Sequence, residues 1–279
     1  MLLERLGFAP ADIYDSPWRS PAGLWVNAVI ESEPAQLKVR TGMRVDVRLE
    51  RTYVERRGFP VEWRNDVFGV CQVGEFTMMG RQRRFDTAMV GASRTDLTGY
   101  DQYAGEVGTM FFNDSILALD FVENRVARAD SVPATLPPGI VDLPLVPDAQ
   151  DGVPFLASID VEGMSASGTF LIDSSRSQSW LSIDYVRRAA SDRLARTLEK
   201  RMEKAAKTER SITLPGGPSV EQELWVGSWI ARDVGRWGVR CDGILGADFL
   251  RRWIPVFDFP AQRLRLVDYA MALPSFRRL

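Results

Sequence analysis

One stretch of the chain occurs twice, and this repeat limits the fold more than any other feature. Gly105-Glu106-Val107-Gly108 and the residues up to Val126 align without a gap on Gly243-Ile244-Leu245-Gly246 and the residues up to Leu264, at a constant offset of 138 (243 minus 105). Gly105/Gly243, Gly108/Gly246, Phe111/Phe249, Ile116/Ile254, Asp120/Asp258, Phe121/Phe259 and Arg125/Arg263 are identical pairs. Solenoids stack many short units, whereas two distant copies specify a duplicated lobe. Pro133, Pro137, Pro138, Pro144 and Pro147 fall between the copies and mark residues 131–151 as a linker. The expected organisation is an N-terminal segment at 1–22, a first lobe at 23–130 and a second at 152–279. With 279 residues, 45% of them hydrophobic, each lobe can hold its own core.

Strand patterns dominate both lobes. Leu24 to Ile30 is rich in β-branched and bulky residues. Leu37, Val39, Met43, Val45, Val47 and Leu49 alternate with polar residues around Thr41-Gly42, which predicts a strand or a hairpin. Residues 153–161, 165–172, 223–231 and 254–259 read the same way. Only 182–207 has a long helical period, with Val186, Ala190, Leu194, Leu198 and Met202 at every fourth position.

Composition removes whole classes of chemistry. There is no histidine, so a histidine-based catalytic triad or zinc site is impossible. Cys71 and Cys241 are the only cysteines and are expected to be ordinary thiols. A net charge of -2 argues against nucleic acid or a charged membrane surface as a partner. No apolar run approaches the roughly 18 residues of a membrane span. Glu4 and Arg5 interrupt Met1 to Leu6, unlike a secretory leader. The expectation is a soluble, cytoplasmic protein without metal or organic cofactor.

Phe170-Leu171-Ile172-Asp173-Ser174-Ser175 resembles the apolar-apolar-Asp-Thr/Ser-Gly motif of pepsin- and retropepsin-like aspartic proteases. Gly243-Ile244-Leu245-Gly246, followed by Phe257-Asp258-Phe259-Pro260, resembles the second signature of the bacterial retropepsin-like members. The resemblance implies a mostly β, bilobal, pepsin-like fold, in which Asp173 faces a second aspartate from the first lobe. Together the two carboxylates share a proton and activate a water, because like charges that close cannot both ionise.

The first lobe departs from that pattern. At the matching distance before Gly108 the chain reads Leu37-Lys38-Val39-Arg40-Thr41-Gly42, with arginine in the aspartate's place. Arg40 lies 68 residues before Gly108, and Asp173 lies 73 before Gly246. An arginine there would pair with Asp173, occupy the place of the water and abolish proton sharing. Ser175 also stands where the motif has glycine. Two other aspartates compete for the position. Asp86, in Phe85-Asp86-Thr87-Ala88, is only 22 residues before Gly108 and reads as a polar strand residue. Asp46 is 62 residues before Gly108 but is followed by Val47-Arg48, and alternation puts it with Arg44 and Arg48 on a solvated face.

The leading expectation is an inactive protease-like protein that takes a peptide or protein segment between its lobes. The alternatives are an active endopeptidase using Asp173 and a first-lobe aspartate, Asp46 being the best candidate, and a scaffold acting through the 182–207 helix. Trp180, Trp225, Trp229, Trp237 and Trp253 read as core or lobe contacts, Leu214 to Pro218 as a surface turn, and Arg81, Arg83 and Arg84 as a solvated basic face.

Overall fold

The computed structural model describes residues 1–20, 23–43, 45–91, 103–139, 141–145, 156–230 and 241–272. In the first half the strands are β1 (Ile13–Asp15), β2 (Trp25–Ile30), β3 (Glu33–Val39), β4 (Val47–Glu50), β5 (Val61–Trp63), β6 (Phe68–Met78), β7 (Arg81–Gly91), β8 (Tyr103–Val107), β9 (Ile116–Asp120) and β10 (Arg125–Ala129). In the second half they are β11 (Val141–Pro144), β12 (Leu156–Val161), β13 (Gly168–Ile172), β14 (Ser179–Ser182), β15 (Thr208–Thr213), β16 (Ser219–Gly227), β17 (Gly243–Leu245), β18 (Ile254–Asp258) and β19 (Arg263–Val267). Helix α1 is Leu2–Arg5, α2 is Arg51–Arg57, α3 is Ile183–Ala189, α4 is Asp192–Glu203 and α5 is Ala247–Leu250.

Among the described residues these strands form three sheets. The first lobe is a seven-stranded sheet in the order β2-β3-β8-β4-β7-β6-β5, curled so that β2 also pairs with β6. The second is a closed barrel, β12-β13-β17-β14-β16-β15. A six-stranded sheet, β1-β10-β9-β18-β19-β11, takes strands from both halves and joins them. At its centre β9 pairs with β18, the equivalent strands of the repeat, with Leu117 opposite Phe257. Leu117, Phe112, Phe257 and Phe259 are buried in the large core that runs through both lobes.

The repeat recurs as strand pairing. In the first lobe β3 runs parallel to β8 with Val39 opposite Val107, and β4 runs antiparallel on the other side with Arg48 opposite Glu106. In the second lobe β13 runs parallel to β17 with Ile172 opposite Leu245, and β14 runs antiparallel with Trp180 opposite Ile244. A helix follows each outer strand, α2 after β4 and α3 after β14.

Several expectations need correction. Residues 37–49 are no hairpin: β8 lies between β3 and β4, so their partner comes from some 60 residues downstream, beyond the reach of a local pattern. Part of the expected linker is strand β11, paired with β19. Val141, Leu143 and Leu145 are buried in alternation, and Pro144 is tolerated because β11 is an edge strand. The N-terminal segment also joins the fold, through α1 in a small core with Ile116 and Ile254 and through β1 on β10. The 182–207 helix is two helices. Ala190 is extended, and the Ser191 hydroxyl accepts from Leu194 N to cap α4, so a local side-chain bond replaces the continuing turn. No helix among the described residues is long and apolar enough to cross a membrane.

Candidate functional site

The loop after β3 and the loop after β13 meet between the lobes and exchange hydrogen bonds almost symmetrically. Thr41 Oγ1 donates to the carbonyl of Ile172, which immediately precedes Asp173, at 2.9 Å. Ser174 Oγ donates to the carbonyl of Val39, which immediately precedes Arg40, at 3.0 Å. In return Ser174 N donates to Thr41 Oγ1 at 3.0 Å, and Thr41 N to Ser174 Oγ at 3.2 Å. These bonds make Thr41 the counterpart of Ser174 and Arg40 the counterpart of Asp173. The pairing rests on geometry, independent of any sequence alignment.

Arg40 and Asp173 face each other across this junction. Arg40 Nε lies 3.5 Å from Asp173 Oδ2. On its other side Arg40 Nη1 donates to Glu106 Oε2 at 2.9 Å, and Arg48 Nη1 donates to the same oxygen at 3.1 Å. Arg176 Nε lies 3.8 Å from Asp173 Oδ2. The charges therefore alternate along a chain, Arg176–Asp173–Arg40–Glu106–Arg48. Both carboxylates are fully buried, and Arg40 is 12% exposed. Burial alone disfavours the Arg40 cation, but Glu106 first and Asp173 next more than reverse this, raising its pKa above the ordinary arginine value.

Ser175 is more than a tolerated substitute for glycine. Its N–H at 3.0 Å and its hydroxyl at 2.7 Å both donate to Asp173 Oδ1. Gly42, its first-lobe counterpart, packs so closely that a Cβ there would strike the Asp173 carboxyl. Lys38 Nζ donates to the Ser175 carbonyl at 2.8 Å, a further tie between the lobes. Gly108 and Gly246 lie behind the two loops. A Cβ on Gly108 would collide with the carbonyls of Met43 and Val45, and one on Gly246 with those of Arg176 and Gln178. Gly243, Ile244 and Leu245 form β17 and support the Asp173 loop through Asp173 N, which donates to the Leu245 carbonyl at 3.0 Å.

Sequence reasoning overlooked Glu106 and Arg48. The signal was in the repeat: Glu106 aligns on Ile244, a charge opposite an apolar residue. The cross-strand pair Arg48–Glu106 in the first lobe thus occupies the place of Trp180–Ile244 in the second. Arginine at position 40 is matched by a carboxylate from its own lobe.

Asp46 does not lie on the solvated strand face expected for it. It is half-buried just before β4, its carbonyl accepts from Gly108 N at 2.9 Å, and burial raises its carboxyl pKa while Arg83 lowers it. Arg48 is likewise turned inward onto Glu106. Asp86 is exposed on β7. Arg81 is not a solvated residue either. It pairs with Asp114 and, at 3.3 Å, with Asp130, pinning the β6–β7 hairpin to the shared sheet. The Leu214–Pro218 turn packs on β11, where a Cβ on Gly217 would strike Val141. Trp180 stacks on Trp225 at 5.6 Å and meets Trp229 edge-on at 5.3 Å, while Arg176 lies over Trp229 at 4.9 Å. Trp253 is buried. Trp237 and Arg44 lie outside the described residues.

Among the described residues no group of three or more acidic or cysteine side chains could hold a metal ion. No protein-family profile matches the sequence, and no curated protein matches it. Among solved structures the chain is similar to the crystal structure of an aspartic proteinase from Irpex lacteus, at 12% identity and a TM-score of 0.56, over 95% of this chain and 99% of that one. That likeness is one of fold: a mostly β, bilobal, pepsin-like architecture.

Proposed function

We propose that this chain is an aspartic-protease-like protein without peptidase activity that takes an extended peptide or protein segment between its lobes. The observation that carries this reading is Arg40, held opposite Asp173 by the Thr41–Ser174 exchange and paired with Asp173 and Glu106 at once. Peptide hydrolysis by such a fold needs two carboxylates sharing one proton around a water. Glu106 is no substitute for the missing aspartate, since the guanidinium stands between it and Asp173. Arginine keeps its proton under all ordinary conditions and serves as neither general base nor a carboxylic acid. The binding half of the reading rests on the two-lobed fold, which suits strand-like recognition. We also propose a kinship with bacterial retropepsin-like proteins, on the resemblance carried by the Asp173-Ser174-Ser175 and Gly243–Gly246 motifs. The free, buried Cys71 and Cys241 fit a reducing, cytoplasmic setting.

The test is incubation with an unfolded protein substrate at acidic pH, with Asp173→Asn as control. The expected result is no cleavage above that control. Cleavage that Asp173→Asn abolishes overturns the reading. A random library of extended peptides checks the second half: saturable binding is expected, and its absence across the library refutes a binding role.

A further inference from the structure

A cavity of about 370 Å³ opens between the N-terminal segment, the β9–β10 turn and the residues after α5, lined by Arg19, Ser20, Leu24, Phe121, Val122, Asn124 and Arg251. We propose that it binds a small carboxylate with an apolar body. None of its lining residues belongs to the Arg176–Asp173–Arg40–Glu106–Arg48 chain, so the proposal stands apart from the reading of that site.

The chemistry of the walls carries the argument. Two arginines line the cavity from different parts of the molecule, Arg19 ahead of β2 and Arg251 just after α5, and none of the described lining residues is acidic. Guanidinium pairs with carboxylates through charge-assisted bonds and repels cations, so an anion is the fitting occupant. Arg251 Nε donates to the Ala247 carbonyl at 3.1 Å, which anchors that side chain to its own turn. Leu24, Phe121 and Val122 supply apolar surface, which an inorganic anion would not use. Val122 is 64% exposed, the most exposed large hydrophobic residue described. It is also held firmly in place. Asp120 Oδ1 accepts from both Val122 N and Glu123 N at 2.9 Å, fixing the turn that presents Val122. The volume sits at the lower end of small-molecule sites and suits a ligand the size of a capped amino acid. Leu24 joins this cavity to the interlobe junction, because its carbonyl accepts from Val39 N at 2.9 Å, one residue before Arg40.

Two sources share this chemistry, a free small carboxylate and the C-terminal residue of a peptide. The experiment is calorimetric titration of the full chain with N-acetyl-leucine, N-acetyl-leucinamide, inorganic phosphate, and a leucine-terminated peptide with a free or an amidated end. N-acetyl-leucine is expected to bind about tenfold or more tightly than its amide. Arg19→Gln and Arg251→Gln should each weaken it severalfold. Arg19 is exposed, so its variant also keeps the fold and the test meaningful. If the free-ended peptide binds as well as N-acetyl-leucine, the site takes peptide termini; if only N-acetyl-leucine binds, it takes small molecules; both outcomes support the proposal. Equal binding of acid and amide, no binding of either, tighter binding of phosphate, or indifference to both substitutions overturns it.

Discussion

Arg40→Met tests the electrostatic reading of the lobe junction most directly. Methionine keeps most of the side-chain volume but removes the charge that pairs with both Glu106 and Asp173. Both carboxylates are fully buried, and breaking a buried pair by deleting one partner costs about 3–5 kcal/mol. The lower figure is the better one here. Glu106 keeps Arg48 at 3.1 Å, and Asp173 keeps the two donors of Ser175. A loss of about 3 kcal/mol is large against a usual total of roughly 5–15 kcal/mol. The second lobe supplies the compensating change. Glu106→Ile copies Ile244, and with Arg40→Met it removes the positive and the negative charge together. The double variant should therefore be more stable than the two single losses add up to, by about 1–3 kcal/mol. Equilibrium urea unfolding followed by tryptophan fluorescence gives the four stabilities of the cycle. A loss below about 1 kcal/mol for Arg40→Met, or additivity within about 0.5 kcal/mol, would refute the reasoning.

Other consequences follow from the same structure. Thr41→Val leaves the buried Ile172 carbonyl and Ser174 N without their partner, so it should cost about 1–3 kcal/mol, read by the same unfolding assay. Burial raises the Asp120 carboxyl pKa from 3.8, more than its two backbone donors lower it. A raised folded pKa means the folded state binds the extra proton, so this group's stabilisation is full below 3.8 and is lost as pH climbs through the folded value. Asp120→Asn should flatten that part of the stability–pH curve; an unchanged slope argues against it. Burial pushes both thiols up to about 11, so Cys71 and Cys241 should resist a thiol reagent at mildly alkaline pH until the chain is unfolded. Rapid labelling of the native protein would contradict their burial.

What the sequence determined is what repeats or what its chemistry demands. The copies at Gly105–Val126 and Gly243–Leu264 required a duplicated lobe, and β9 and β18 do pair at the centre of the shared sheet. The Asp173-Ser174-Ser175 motif and its lobe spacing pointed to the fold and singled out position 40, because motif glycines and hydroxyls are local requirements. Partners far apart along the chain were not legible. The Arg48–Glu106 pair arises because β8 inserts between β3 and β4, and alternation along residues 37–49 says nothing about which strand lies between. The bond from Lys38 to the Ser175 carbonyl depends on the opposite lobe, and β11 was masked by prolines that an edge position tolerates. Only the tertiary structure brings Asp173, Arg40 and Glu106 out of water together, and burial is what turns three ordinary charged residues into a strong mutual constraint.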